Sequence, residues 1–171
     1  MAIITLKDLP AIREKHKKEK IVFCSGTFDL THAGHILFFE DCKKHGDILV
    51  VLVGSDHNLK VYNKGPGRPI LNEHVRLKTV DSLKPVDYAL LDPDVENNDM
   101  LGYFPELFRT FKPDFYIVNK DAFDLARRYE LVEGTPTKII VLERTCPPEF
   151  NEISTSKIIE KIQSVPKKSE G

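Results

Sequence analysis

The chain is 171 residues long, 41% hydrophobic and 30% charged, with a formal net charge of -1. That length suits one domain with a sizeable core, and a near-neutral balance argues against nucleic acid or a membrane surface as the main partner. No apolar run approaches the ~20 residues that span a bilayer, and no signal peptide opens the chain. Cys24, Cys42 and Cys146 are odd in number and form no Cys-x-x-Cys pair. A disulfide framework or a zinc site is therefore not expected, and a reducing cytoplasm is.

Leu6 to Lys20 reads as a lead-in helix whose mixed-sign run is a solvated face. Ile21 to Ser25 is β-branched, aromatic or small and reads as a buried strand, broken by Gly26. A helix follows from Ala33 to Lys44. Asp47 to Gly54 is a nearly continuous apolar strand of the kind covered on both faces. The segment from Lys60 to Pro69 is too rich in glycine and proline for a helix and reads as a mobile loop. Asn72 can cap a helix running to about Leu83, and Val86 to Leu91 is a third strand. Asp99 to Phe111 is helical in pattern, but Pro105 should kink it or divide it in two. Asp114 to Val118 is a fourth strand, Asp121 to Val132 a helix, and Lys138 to Leu142 a fifth strand. Ser154 to Ile162 is the last helix. The whole is one domain over residues 1–171, with residues 1–19 as the lead-in and 166–171 as a frayed tail. Strands alternate with helices throughout, which predicts an α/β fold: a doubly wound parallel sheet with helices on both faces.

The chemistry is concentrated after the first buried strand. The turn and the start of the next helix carry Gly26-Thr27-Phe28-Asp29 and His32-Ala33-Gly34-His35. Backbone N–H groups and the helix dipole there favour an anion, and the two histidines face the same way. This pair of motifs resembles the signature of the cytidylyltransferase-like nucleotidyltransferases. The resemblance implies a Rossmann-like fold and transfer of a nucleoside monophosphate from a triphosphate to a small phosphorylated acceptor. It also implies that His32 and His35 stabilise the pentavalent transition state. Gly34 would let phosphate approach closely, and Thr27 and Phe28 would offer backbone N–H groups. Asp29 either orients the turn or contacts acceptor or metal.

Further segments fit the same family in the same order. Glu152-Ile153-Ser154-Thr155-Ser156-Lys157 is similar to its Ile-Ser-Thr-Thr signature, whose hydroxyls bind the β- and γ-phosphates; Ser154 is also a good helix cap. Arg144-Thr145 resembles the Arg-Thr upstream of it, across a longer gap. Lys64-Gly65-Pro66-Gly67-Arg68-Pro69-Ile70 resembles a segment of heptose-phosphate nucleotidyltransferases, which implies that Lys64 swings onto the phosphates with Lys60 assisting. Arg76 matches a helical arginine of the family, and an ion pair on a surface helix would explain it as well. Asp121 keeps an acid found in relatives, whereas Asn119 and Lys120 depart from the pattern and bear on specificity. The resemblance covers roughly residues 20 to 163.

The expected activity is adenylyl or cytidylyl transfer to a sugar or polyol phosphate, with Mg2+ carried on the nucleoside triphosphate and no dedicated protein-only metal site. Flavin or cofactor adenylyl transfer and a catalytically silent nucleotide-binding regulator are the other readings. The heptose-like loop favours ATP, and the Ile-Ser-Thr-Ser ending is nearer the enzymes that use CTP. A homodimer is expected, with neither nucleic acid nor membrane as partner.

Overall fold

A computed structural model describes residues 2–61, 67–95, 99–150 and 153–166. Six parallel strands form one sheet: β1 (Ala2–Ile4), β2 (Ile21–Gly26), β3 (Ile48–Val53), β4 (Tyr88–Leu91), β5 (Phe115–Asn119) and β6 (Lys138–Leu142). Their spatial order is β1-β4-β3-β2-β5-β6. The helices are α1 (Leu9–Lys15), α2 (Ala33–Lys43), α3 (Asp56–Val61), α4 (Glu73–Asp81), α5 (Phe104–Phe111), α6 (Leu125–Glu130) and α7 (Thr155–Ser164), with short 3-10 turns at Leu6–Asp8 and Pro148–Phe150. This is the α/β Rossmann-like arrangement expected from the sequence.

Strand alternation sends neighbouring residues to opposite faces of the sheet. Phe23, Val50 and Leu52 pack with Leu9 and Ile12 of α1 and with four residues of α5. Val22, Cys24, Leu49, Val51 and Val53 pack instead with Phe38, Phe39 and Cys42 of α2 and with Leu77 and Val80 of α4. Cys24 and Cys42 are buried in this second core, as small apolar residues should be. Burial on both faces is why β2 and β3 read as unbroken apolar runs.

Several boundaries differ from expectation. β1 was not anticipated; three residues are too short a run to reveal a strand, and it forms only by pairing with β4 at the sheet edge. The lead-in helix is confined to Leu9–Lys15 after its 3-10 turn. Pro105 lies in the first turn of α5, where its missing N–H has no partner to lose, so the helix starts there instead of kinking. Asp56–Val61 is helical, which moves Lys60 out of the loop and into the last turn of α3. Residues 62–66 of the expected loop and 167–171 of the expected tail lie outside the described residues.

The order of strands reverses at β2. The chain proceeds from β2 to β3 on one side and later returns to β5 on the other. In open α/β sheets such a point leaves a crevice outside the carboxyl ends of the strands. No helix among the described residues is long and apolar enough to cross a membrane.

Phe23 is fully buried and meets Phe104, Phe108, Phe111 and Tyr116 at ring separations of 5.7–6.2 Å. Phe23→Ala should therefore lower stability by about 3–5 kcal/mol, read as a lower urea midpoint at unchanged slope.

Candidate active site

The crevice at β2 is a cleft of about 940 Å³. Its floor is the turn after β2, which folds tightly: Phe28 and Leu30 take left-handed backbone angles, with φ of 52° and 44°. The Phe28 ring turns back over Gly26, where a Cβ would approach it to 2.8 Å. Gly26 is therefore the residue that admits the ring.

Asp29 holds this turn to the rest of the molecule. Its side chain is buried and accepts backbone N–H bonds from Leu30 at 3.1 Å, Ile70 at 2.8 Å and Leu71 at 3.0 Å. Its carbonyl accepts the Thr155 hydroxyl at 2.8 Å. Both carboxylate oxygens are thus committed to backbone, and the turn-orienting role is the one the contacts give.

Arg76 does form an ion pair, with Asp56, but not on the surface. It is fully buried and donates to Leu71 O, Thr27 O and Asp56 Oδ1 at 2.6–2.9 Å. It braces the turn from behind and is not among the residues lining the cleft. Lys60 is exposed and also lies outside the lining. Lys64 falls outside the described residues.

His32 caps α2. Its Nδ1 accepts the Gly34 N–H at 3.1 Å, which places the proton of the neutral ring on Nε2. Burial, aided by the nearby Arg144 charge, lowers its pKa below the usual histidine value. His35 stacks on it with ring centres 4.1 Å apart, and Phe28 meets His35 edge-on at 5.5 Å. A Cβ on Gly34 would come within 3.0 Å of the His32 ring and 3.5 Å of Ile153 O. Gly34 therefore permits the folded-back His32 ring, while the chain entering α7 sits at ordinary contact distance.

That entry brings a second helix start to the cleft. Ser154 caps α7 by accepting the Lys157 N–H at 3.2 Å, and Arg68 donates to Ser156 Oγ at 3.0 Å. Ser154, Thr155 and Ser156 all line the cleft with His32, His35, Thr27 and Gly26. Two partial positive ends thus face one cavity, an arrangement suited to a polyanion. Arg144 and Asp121 pair at 2.5 Å on the rim, each about half exposed.

The cleft wall also holds residues that periodicity does not reveal. Asp92 is buried at the end of β4 and accepts from Tyr103 O–H and, at 2.9 Å, from Asn58 Nδ2. Burial pushes its carboxyl up to about 6 against the lowering effect of those bonds. Arg128 of α6 is equally hidden and lines the same cleft. Nothing in Leu-Ala-Arg-Arg distinguishes it from a solvated helical arginine.

A sequence model of the family described as Cytidylyltransferase-like matches residues 23–161. The chain belongs to the cytidylyltransferase-like family of nucleotidyltransferases. It is 32% identical to the bifunctional protein HldE of Desulfatibacillum aliphaticivorans over 93% of this chain and 30% of that protein. It is 35% identical to the FAD synthase of Archaeoglobus profundus over 85% of this chain and 88% of that one. The chain thus spans only about a third of the HldE proteins it matches. A lipopolysaccharide core biosynthesis protein from Thermoplasma volcanium GSS1 shares the fold at a TM-score of 0.61 and 32% identity, covering 75% of this chain and 99% of that one. Within this cytidylyltransferase-like domain, both motif regions meet at one cleft.

His32 should titrate below the ordinary histidine value near 6.5 in a histidine-resolved NMR experiment. Arg144→Gln should raise that midpoint by removing a repelling charge; an unmoved midpoint would separate Arg144 from the ring. The depressed pKa means that His32 contributes stability above its unfolded value, lost as pH falls through the folded one.

Proposed function

We propose that the chain transfers the adenylyl group of ATP to a small phosphorylated acceptor and releases pyrophosphate. The observation that carries this reading is the convergence of two helix starts and two stacked histidines on one cleft. An acceptor phosphate oxygen attacks the α-phosphorus, and the bond from that phosphorus to the bridging oxygen of the pyrophosphate breaks in line with it. Charge builds on the α-phosphate oxygens and on the leaving group. His32, with its proton on Nε2, and His35 would donate to the α-phosphate. The α7 start, with Ser154, Thr155 and Ser156, would hold the β- and γ-phosphates. Holding both reactants in place removes much of the entropic part of the barrier.

Magnesium would arrive on the triphosphate, where it offsets charge on the departing pyrophosphate. Among the described residues no group of three or more His, Cys, Asp or Glu could hold a metal ion.

For the acceptor we favour a sugar phosphate of the heptose class, on the resemblance of the Lys64 to Ile70 segment and the likeness to HldE proteins. FMN is the second reading. It is supported by the FAD synthase likeness and by Phe123, an aromatic side chain 54% exposed on the cleft wall. A site that hydrogen-bonds one base rejects the other strongly, so one nucleotide should be preferred sharply.

Pyrophosphate release should be measured with ATP and CTP, each against heptose phosphate, glycerol 3-phosphate and FMN. Activity with ATP and a phosphorylated acceptor is expected. CTP-only activity would overturn the base assignment, and no release with any pair would overturn the reaction. His32→Ala and His35→Ala should each lower kcat about 10²–10³-fold, with His32→Ala also losing roughly 0.5–2 kcal/mol of stability along with its cap on α2. Near wild-type turnover in both would remove the histidines from the mechanism.

A further inference from the structure

Among the described residues, Arg128 is a buried charge without a counter-charge. It is 8% exposed, and its bonds go to three neutral oxygens: Nε donates to Phe123 O at 2.8 Å, and Nη1 donates to Ser25 Oγ at 3.3 Å and to the Tyr116 hydroxyl. Its guanidinium carbon lies 5.9 Å from the centre of the Tyr116 ring. Burial raises the Tyr116 pKa, so the phenol stays neutral and does not balance the guanidinium. The described carboxylates that line the same cleft are engaged elsewhere. Asp29 is held by backbone, Asp41 by Lys44 and Thr145, Asp92 by Asn58 and Tyr103, Asp121 by Arg144, and Glu143 by Lys120.

A buried, unpaired cation is costly, and a fold that keeps one at a cleft wall has a use for it. The Nη2 group donates to none of the three oxygens, and Arg128 is among the residues that line the cleft. Ser25 precedes Gly26, so the guanidinium sits where β2 gives way to the phosphate-binding turn. Guanidinium groups bind phosphate through two parallel N–H bonds, a geometry an ammonium does not reproduce.

We propose that Arg128 receives the phosphate of the acceptor, held at the end of β2 beside the turn that takes the nucleotide. The inference rests on the transfer reaction above and adds the residue that recognises the second substrate. Ser25 and the Tyr116 hydroxyl hold the guanidinium in place. The acceptor is then a phosphomonoester recognised by its dianion, and the same compound without phosphate binds poorly.

The test is equilibrium binding of inorganic phosphate to protein first saturated with α,β-methylene-ATP. That analogue fills the triphosphate site and cannot release pyrophosphate. Wild type, Arg128→Gln and Arg128→Lys are compared by the phosphate-dependent shift in Tm. Phosphate affinity should fall about tenfold or more in Arg128→Gln and by a smaller factor in Arg128→Lys, with analogue affinity unchanged. Wild type that binds no phosphate, or folded variants that bind it equally well, would overturn the proposal. If Arg128→Gln does not fold, Arg128→Lys decides alone, because one ammonium cannot replace the fork. No turnover is needed, so a failed pyrophosphate screen and a failed Arg128 assignment are separate results.

Discussion

The buried carboxylate of Asp29 is the contact on which the site depends. Through Ile70 and Leu71 it ties the turn after β2 to the approach to α4, and its own carbonyl ties the turn to Thr155 at the start of α7. These segments are 41, 42 and 126 residues away in the chain. Buried carboxylates are kept only where their lone pairs are filled, and backbone N–H groups fill these. Arg76 completes the brace from below by bonding both Thr27 O and Leu71 O. A turn with two non-glycine residues in the left-handed region needs such support, because each costs free energy that the surroundings must offset.

The consequence is a cleft whose donors are fixed by orientation, in a chain of little net charge. The chain as a whole carries a formal charge of -1. Of the described arginines at the cleft, Arg144 pairs with Asp121, whereas Arg68 and Arg128 bond neutral oxygens. Positive potential comes from those two guanidinium groups together with two helix starts, all donors fixed before substrate arrives. A histidine held neutral with its proton on Nε2 fits that design, since it donates without offering a full charge to be desolvated.

Much of this was legible because strong signals were local. The β2 and β3 runs show a strand buried on both faces, and Gly-Thr-Phe-Asp with His-Ala-Gly-His marks the turn and helix start. Ser154 was readable as a cap because capping is a local bond. What was not legible depends on distant partners. β1 exists only through β4, and Arg76 looks like any helical arginine until Thr27 is folded against it. Arg128 and Asp92 gain their character from burial, and no residue beside them in the chain announces it. Pro105 misled because proline in the first turn of a helix and proline inside one look alike until the start is known.

The proposed transfer is a direct displacement between two aligned phosphates, with no protein nucleophile taking the nucleotidyl group. The stereochemical course at the α-phosphorus tests this most directly. The reaction is run with one diastereomer of ATP carrying sulfur at the α-phosphate, and the product configuration is assigned by phosphorus NMR. One in-line displacement inverts the centre, and inversion is the predicted result. Net retention would require two displacements through a covalent nucleotidyl-enzyme, and would contradict the account.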